Sequence, residues 1–131
     1  MQIEGLSWFP GHMTKTKRMI VSEIGHMDAV CEILDARIPL SSRNPDVDEM
    51  TAGKPRLVVL NRVDQADPTQ TKRWAAYFRG KGCAVLEANA KGGAGTAQFS
   101  AAVRELLRDK LAAYAEKGQV GRTVRVMVLG I

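Results

Sequence analysis

Cysteine is nearly absent: Cys31 and Cys83 are the only two, each inside an apolar run and neither at a metal-ligand spacing. That excludes a disulfide scaffold and a zinc-binding module, and it predicts reduced thiols in a cytosolic core. Long apolar runs are missing too. None approaches the roughly 20 residues that span a bilayer, and Met1-Gln2-Ile3-Glu4-Gly5 lacks the basic-then-apolar pattern of a secretory signal. No membrane partner is expected, and the expected localisation is cytoplasmic. Aromatic residues are only 5% of the chain and do not interleave with basic ones, so no base-stacking surface for nucleic acid is marked. Internal repeats are absent, and the one low-complexity stretch, Gly92-Gly93-Ala94-Gly95, reads as a loop.

What is present suits one domain. The 131 residues are 45% hydrophobic, enough to bury a modest core without staples, and a monomer is expected. Nineteen Lys and Arg against 14 Asp and Glu give a net charge of +5, which favours phosphate-rich partners without specifying one.

Four short apolar runs stand out: Ala29 to Leu34, Arg56 to Leu60, Cys83 to Ala88 and Val124 to Leu129. Most are rich in Val, Ile or Leu without clean alternation, the pattern of strands covered on both faces. Helix-period segments separate them. Phe99, Val103, Leu106, Leu107, Leu111 and Tyr114 recur at the spacing of one apolar helix stripe. Asp67-Pro68 predicts a capped helix start, and a further helix is expected from about His12 to Ile24, exposing Lys15, Lys17 and Arg18. Strand and helix therefore alternate, which predicts an α/β fold: a mostly parallel sheet between two helical layers, joined by right-handed crossovers. Such sheets bind ligands at the carboxyl ends of their strands, so the residues just after each run carry the chemistry.

At the second strand end stands Asn61-Arg62-Val63-Asp64. An aspartate there can accept hydrogen bonds from both the ring N–H and the exocyclic amine of guanine, a pair that adenine does not present. Asn61 would tie neighbouring loops together, and Arg62, where GTPases usually have Lys, could stack its plane on the base. Alone, Asn-x-x-Asp is a common accident and reads first as a polar turn ending a strand. Twenty-five residues after Asp64 comes Asn89-Ala90-Lys91, similar to the Ser-Ala-Lys motif whose central backbone N–H binds the guanine carbonyl, although Asn89 departs from the usual Ser. Asn89 to Gly95 is also readable as a plain strand-to-helix connection. Asp35 at the first strand end resembles a receiver-domain phospho-acceptor, but the acidic pair such a site needs is missing.

Two longer segments decide between these readings. Trp8-Phe9-Pro10-Gly11-His12-Met13 and the stretch from Asp35-Ala36-Arg37-Ile38-Pro39 through Pro45 resemble signature segments of the ribosome biogenesis GTPase A family, whose members are circularly permuted GTPases. The resemblance implies a P-loop NTPase-like sheet, circularly permuted, with the four strands in spatial order 4-1-2-3 and the remaining strands missing. Residues 1–26 would be an N-terminal segment and helix, and 27–131 part of a G domain. The edge of the fourth strand is expected to stand unpaired. The family also implies guanine-nucleotide binding (GTP or GDP) through Asn61, Arg62, Asp64, Asn89, Ala90 and Lys91, with Gly130 opening the phosphate loop. His12 is implied as the group orienting the attacking water; Trp8 and Phe9, by residue type, are expected as core anchors. No Gly-x4-Gly-Lys-Ser/Thr occurs. Magnesium is therefore expected only with that loop, no metal ligand is assigned here, and weak or no GTP binding with no appreciable hydrolysis is expected of these 131 residues alone. The implied partner is the large ribosomal subunit with its rRNA, whose phosphates Lys15, Lys17, Arg18, Arg37 and Arg43 could meet. The alternative is an rRNA- or ribosome-binding module that hydrolyses no nucleotide.

Overall fold

The computed structural model describes residues 3–10, 13–40, 46–89, 95–118 and 123–130, with side chains for 17–40, 46–89, 98–118 and 123–130. Strand β1 (Ile3–Pro10) leads to helix α1 (Met13–Glu23), and one 3-10 turn (Ile24–His26) precedes β2 (Ala29–Asp35). A short α2 (Asp46–Met50) comes before β3 (Arg56–Asn61), and α3 (Pro68–Gly80) before β4 (Ala84–Glu87). Helices α4 (Gly95–Leu106) and α5 (Arg108–Glu116) then return the chain to β5 (Val124–Gly130).

Side-chain alternation sorts the strands into two faces. On one face Ala29, Cys31, Leu57, Val59, Val124, Val126 and Val128 pack against Val103 of α4 and the adjoining Leu107. On the other, Val30, Met127 and Leu129 meet Ile20 of α1 and Val47 of α2, while Leu34, Val58 and Leu60 meet Ala75 and Phe78 of α3. Three layers result, as expected. The predicted stripe on the long helix is continuous across the irregularity at Leu107, because Leu107 N donates to Val103 O (3.0 Å) and Leu111 N to Leu107 O (2.8 Å). Asp67 caps α3 as expected, accepting from Thr69 N at 2.8 Å with Pro68 in the first turn.

The sheet is parallel throughout, in the order β1-β5-β2-β3-β4. Its last four members are the expected strands in the expected order. The unpaired edge is corrected: β1 runs along β5 from Ile3↔Val124 to Pro10↔Gly130, with one irregularity between Glu4 and Ser7. Gly5 and Pro10 break any strand-like pattern in this segment, yet both are tolerated at a sheet edge, where Pro need not donate to a ladder. The side chains of Trp8 and Phe9, expected as core anchors, lie outside the described ones.

Candidate nucleotide-binding site

Parallel pairing brings all the strand ends to one rim of the sheet. Asp35 is level with Asn61, and Ile33 with Gly130, which also faces Pro10 of β1. Backbone hydrogen bonds then continue past the strands. Ala36 N donates to Asn61 O (2.8 Å), Ala88 N to Leu60 O (2.8 Å) and Val63 N to Ala88 O (3.3 Å). The last bond joins the Asn61–Asp64 tetrad to the segment entering Asn89, so the tetrad and Ala88, well separated in sequence, sit side by side.

Arg62 turns the chain here. Its φ of 62° is the only positive value among described non-glycine residues, a conformation that costs on the order of 1–3 kcal/mol and persists only where surrounding bonds impose it. Those bonds are Gln65 N to Arg62 O (3.0 Å) and Ala66 N to Val63 O (3.3 Å), which close the 3-10 turn Val63–Gln65. The turn carries Asp64 to the surface, where its carboxylate makes no ion pair or hydrogen bond with another described side chain. Beside it lies a cleft of about 390 Å³ lined by Ile33, Leu34, Asp35, Arg37, Asn61 and Arg62. Asn89 is exposed on the same rim.

A bracket that the sequence did not reveal holds this turn. The buried Asp35 accepts four bonds from Arg37: backbone N to Oδ1 (2.9 Å), Nε to Oδ1 (3.0 Å) and to Oδ2 (3.2 Å), and Nη2 to Oδ2 (2.6 Å). Arg37 Nη1 then reaches Gln65 Oε1 at 3.4 Å, next to Asp64. These bonds to Arg37 hold the Asp35 carboxyl at about 2, below its ordinary 3.8. Because the folded value is the lower one, the bracket contributes its full stability above about pH 4 and loses it as pH falls towards 2. In a carbon-13 NMR titration, the Asp35 carboxyl should titrate near 2, and in Arg37→Ala its midpoint should climb back towards 3.8. An unmoved midpoint would show that Arg37 does not hold it.

His12, Ala90 and Lys91 lie outside the described residues. Of the basic set expected to face phosphates, Arg37 is taken up by Asp35, and Lys17 pairs with Asp46 at 2.9 Å. Arg18 is exposed, and the side chains of Lys15 and Arg43 are outside the described ones. Among the described residues, no cluster of His, Cys, Asp or Glu could hold a metal ion, and no helix is long and apolar enough to cross a membrane.

No protein-family model matches the chain. Individual proteins do. Ribosome biogenesis GTPase A of Bacillus cereus is 44% identical over 126 residues, covering 96% of this chain and 43% of that protein. Its counterpart in Priestia megaterium is 42% identical, covering 96% and 44%, and mitochondrial ribosome-associated GTPase 1 of Mus musculus is 40% identical, covering 77% and 31%. Among solved structures, the crystal structure of GNP-bound YlqF from T. maritima superposes with a TM-score of 0.58 at 30% identity, over 89% of this chain and 42% of that one. Sheet order and these relatives thus define part of a circularly permuted GTPase domain. The chain belongs to the ribosome biogenesis GTPase A family, and it spans less than half the length of the curated relatives it matches.

Proposed function

We propose that this chain supplies the guanine-recognising part of a GTP-binding and GTP-hydrolysing factor that acts in late assembly of the large ribosomal subunit in the cytoplasm. The observation that carries the reading is the joined rim. Val63 N–H bonds Ala88 O, and this sets Asp64, its carboxylate unengaged by described side chains, beside the Asn89 segment.

The chemistry of these donors and acceptors fits a guanine base. Asp64 would accept from the ring N–H and the exocyclic amine, while the Ala90 backbone N–H, flanked by Asn89 and Lys91, would donate to the carbonyl oxygen. Asn61 would fix the two loops, and the Arg62 plane would lie over the ring. Gly130 would open the phosphate-binding turn, and His12 would orient the attacking water. Magnesium would belong with the phosphate loop. The nucleotide supplies the scissile phosphate bond; Asn61, Arg62, Asp64 and Ala90 would select and orient the base.

Competition between GDP and ADP on the full-length protein tests this. A guanine preference of at least about a hundredfold is expected, since adenine would leave the carboxylate facing no donor. Equal affinity for the two nucleotides would refute the reading.

A further inference from the structure

The opposite end of the sheet carries a second polar surface that nucleotide binding does not use. We propose that this strand-start end is a docking surface for the phosphodiester backbone of RNA, centred on Lys54 and Arg125. The inference deepens the ribosomal reading above and rests on it for the choice of partner.

Two clefts lie at this end. One, of about 530 Å³, is lined by His26, Asp28, Lys54, Lys110, Tyr114 and Arg125 among others. The second, of about 320 Å³, is lined by Asp48, Gly53, Lys54, Lys81 and Gly82 among others. Lys54 lines both, so they form one continuous band crossing the beginnings of β3, β4 and β5.

The charges in this band do not cancel. Asp28 accepts from Arg125 N (2.9 Å) and pairs with Lys110 Nζ (3.3 Å), and Asp48 is engaged by Arg56. Glu32 shares Arg56 with Asp48, so three carboxylates stand against the five cations Lys54, Arg56, Lys81, Lys110 and Arg125. Neither the Lys54 ammonium nor the Arg125 guanidinium is in an ion pair with a described residue. Lys81, with its ammonium 5.1 Å from the centre of the Tyr77 ring, extends the same positive band.

The chemistry of the lining selects the kind of partner. Uncompensated cations in concave clefts attract phosphates, and the hydroxyls of Tyr114 and Thr123 in the larger cleft can bond ribose 2′-hydroxyls. None of the large exposed apolar side chains, Met19, Val21, Ile38, Leu40 and Tyr77, lines either cleft, which argues against an apolar protein face or an inserted bilayer. Distance keeps the two sites independent. The seven residues of β2 span about 20 Å at a rise of roughly 3.3 Å each, so RNA and nucleotide can be held at once.

The test is binding of purified large-subunit rRNA to the full-length protein across a KCl titration, with fluorescent GDP binding measured in parallel. Lys54→Ala/Arg125→Ala should lower the slope of log affinity against log salt by about 2, one counterion contact per residue, with GDP affinity unchanged. Lys54→Arg/Arg125→Lys should retain the slope. Arg73→Ala/Arg79→Ala removes the same charge from exposed positions on α3 and should leave the slope nearly intact. An unchanged slope in the first variant, an equal loss in the α3 control, or displacement by polyglutamate as effective as by RNA would each overturn the proposal. If the wild type binds RNA through Lys54 and Arg125 but shows no guanine preference, the guanine reading falls and this one stands.

Discussion

Asp64→Asn should weaken GDP binding to the full-length protein by at least about a hundredfold, with xanthine nucleotide recovering part of the loss. The magnitude follows from charge-assisted bonds. Ionised Asp accepts from both the ring N–H and the amine of guanine, whereas Asn can accept one and presents its own NH2 to the other. Two donors then face each other. Xanthine carries a carbonyl oxygen where guanine carries the amine, so it accepts from that NH2. Folding should not interfere, because Asp64 is exposed in the Val63–Gln65 turn and surface changes of this kind stay within about 0.5 kcal/mol. Equilibrium titration with fluorescent GDP and XDP measures both halves. Unchanged GDP affinity would remove Asp64 from the site.

A second large effect is expected in stability. Arg56 opens β3 and points to the face shared by α1, α2 and α3, where Glu32 of β2 is buried; their charged atoms are 3.7 Å apart, with side chains 12% and 4% exposed. The same guanidinium bonds Asp48 and the Thr51 hydroxyl, and that hydroxyl donates to Val47 O at 2.6 Å. One cation therefore neutralises a buried carboxylate and fastens α2 to the sheet. Arg56→Met keeps much of the stem but removes the charge, and losing one partner of a buried pair costs about 3–5 kcal/mol. With a urea dependence of about 1–3 kcal/mol per molar, the unfolding midpoint should drop by more than about 1 M. Adding Glu32→Leu should restore most of it, because an apolar pair leaves no charge stranded. A midpoint shift in Arg56→Met too small to resolve would show that the buried charge is held by other means.

The sheet was legible where strands are buried on both faces. Val, Ile and Leu in β2, β3 and β5 cannot be placed otherwise, and the α/β alternation with its parallel order followed. Strand β1 escaped notice because its pairing is made by backbone groups along β5, and Ile3-Glu4-Gly5-Leu6-Ser7 has neither alternation nor a β-branched run. Helix α2 escaped for a different reason: five residues are too few to show a helical period.

At the candidate site, the tetrad was legible from residue types, but its contact with Ala88 depends on strand register and was not. The role of Arg37 had a faint local signal. Asp followed two residues later by a backbone donor is the pattern of an Asx-type turn, and the 2.9 Å bond from Arg37 N to Asp35 Oδ1 makes it. Sequence alone could not show that the same side chain would reach Gln65, because that contact spans two separate strand-end loops. The basic surface at Lys54 and Arg125 was equally hidden, since its cations come from the starts of different strands and never form a run.

The pairing of β1 with β5 also sets a schedule for synthesis. Ile3 faces Val124, so 124 − 3 = 121 residues separate the partners, and the β2–β3 and β3–β4 pairs are assembled from chain lying between them. At about 5–20 residues per second of translation, the first strand waits roughly 6–24 s for its neighbour to be made. During that interval the β2-β3-β4 unit can form from closer segments, and the closing of the long loop is deferred until the rest of the sheet offers a template. In this topology β1 can take its place only once β5 has been made, after β2, β3 and β4.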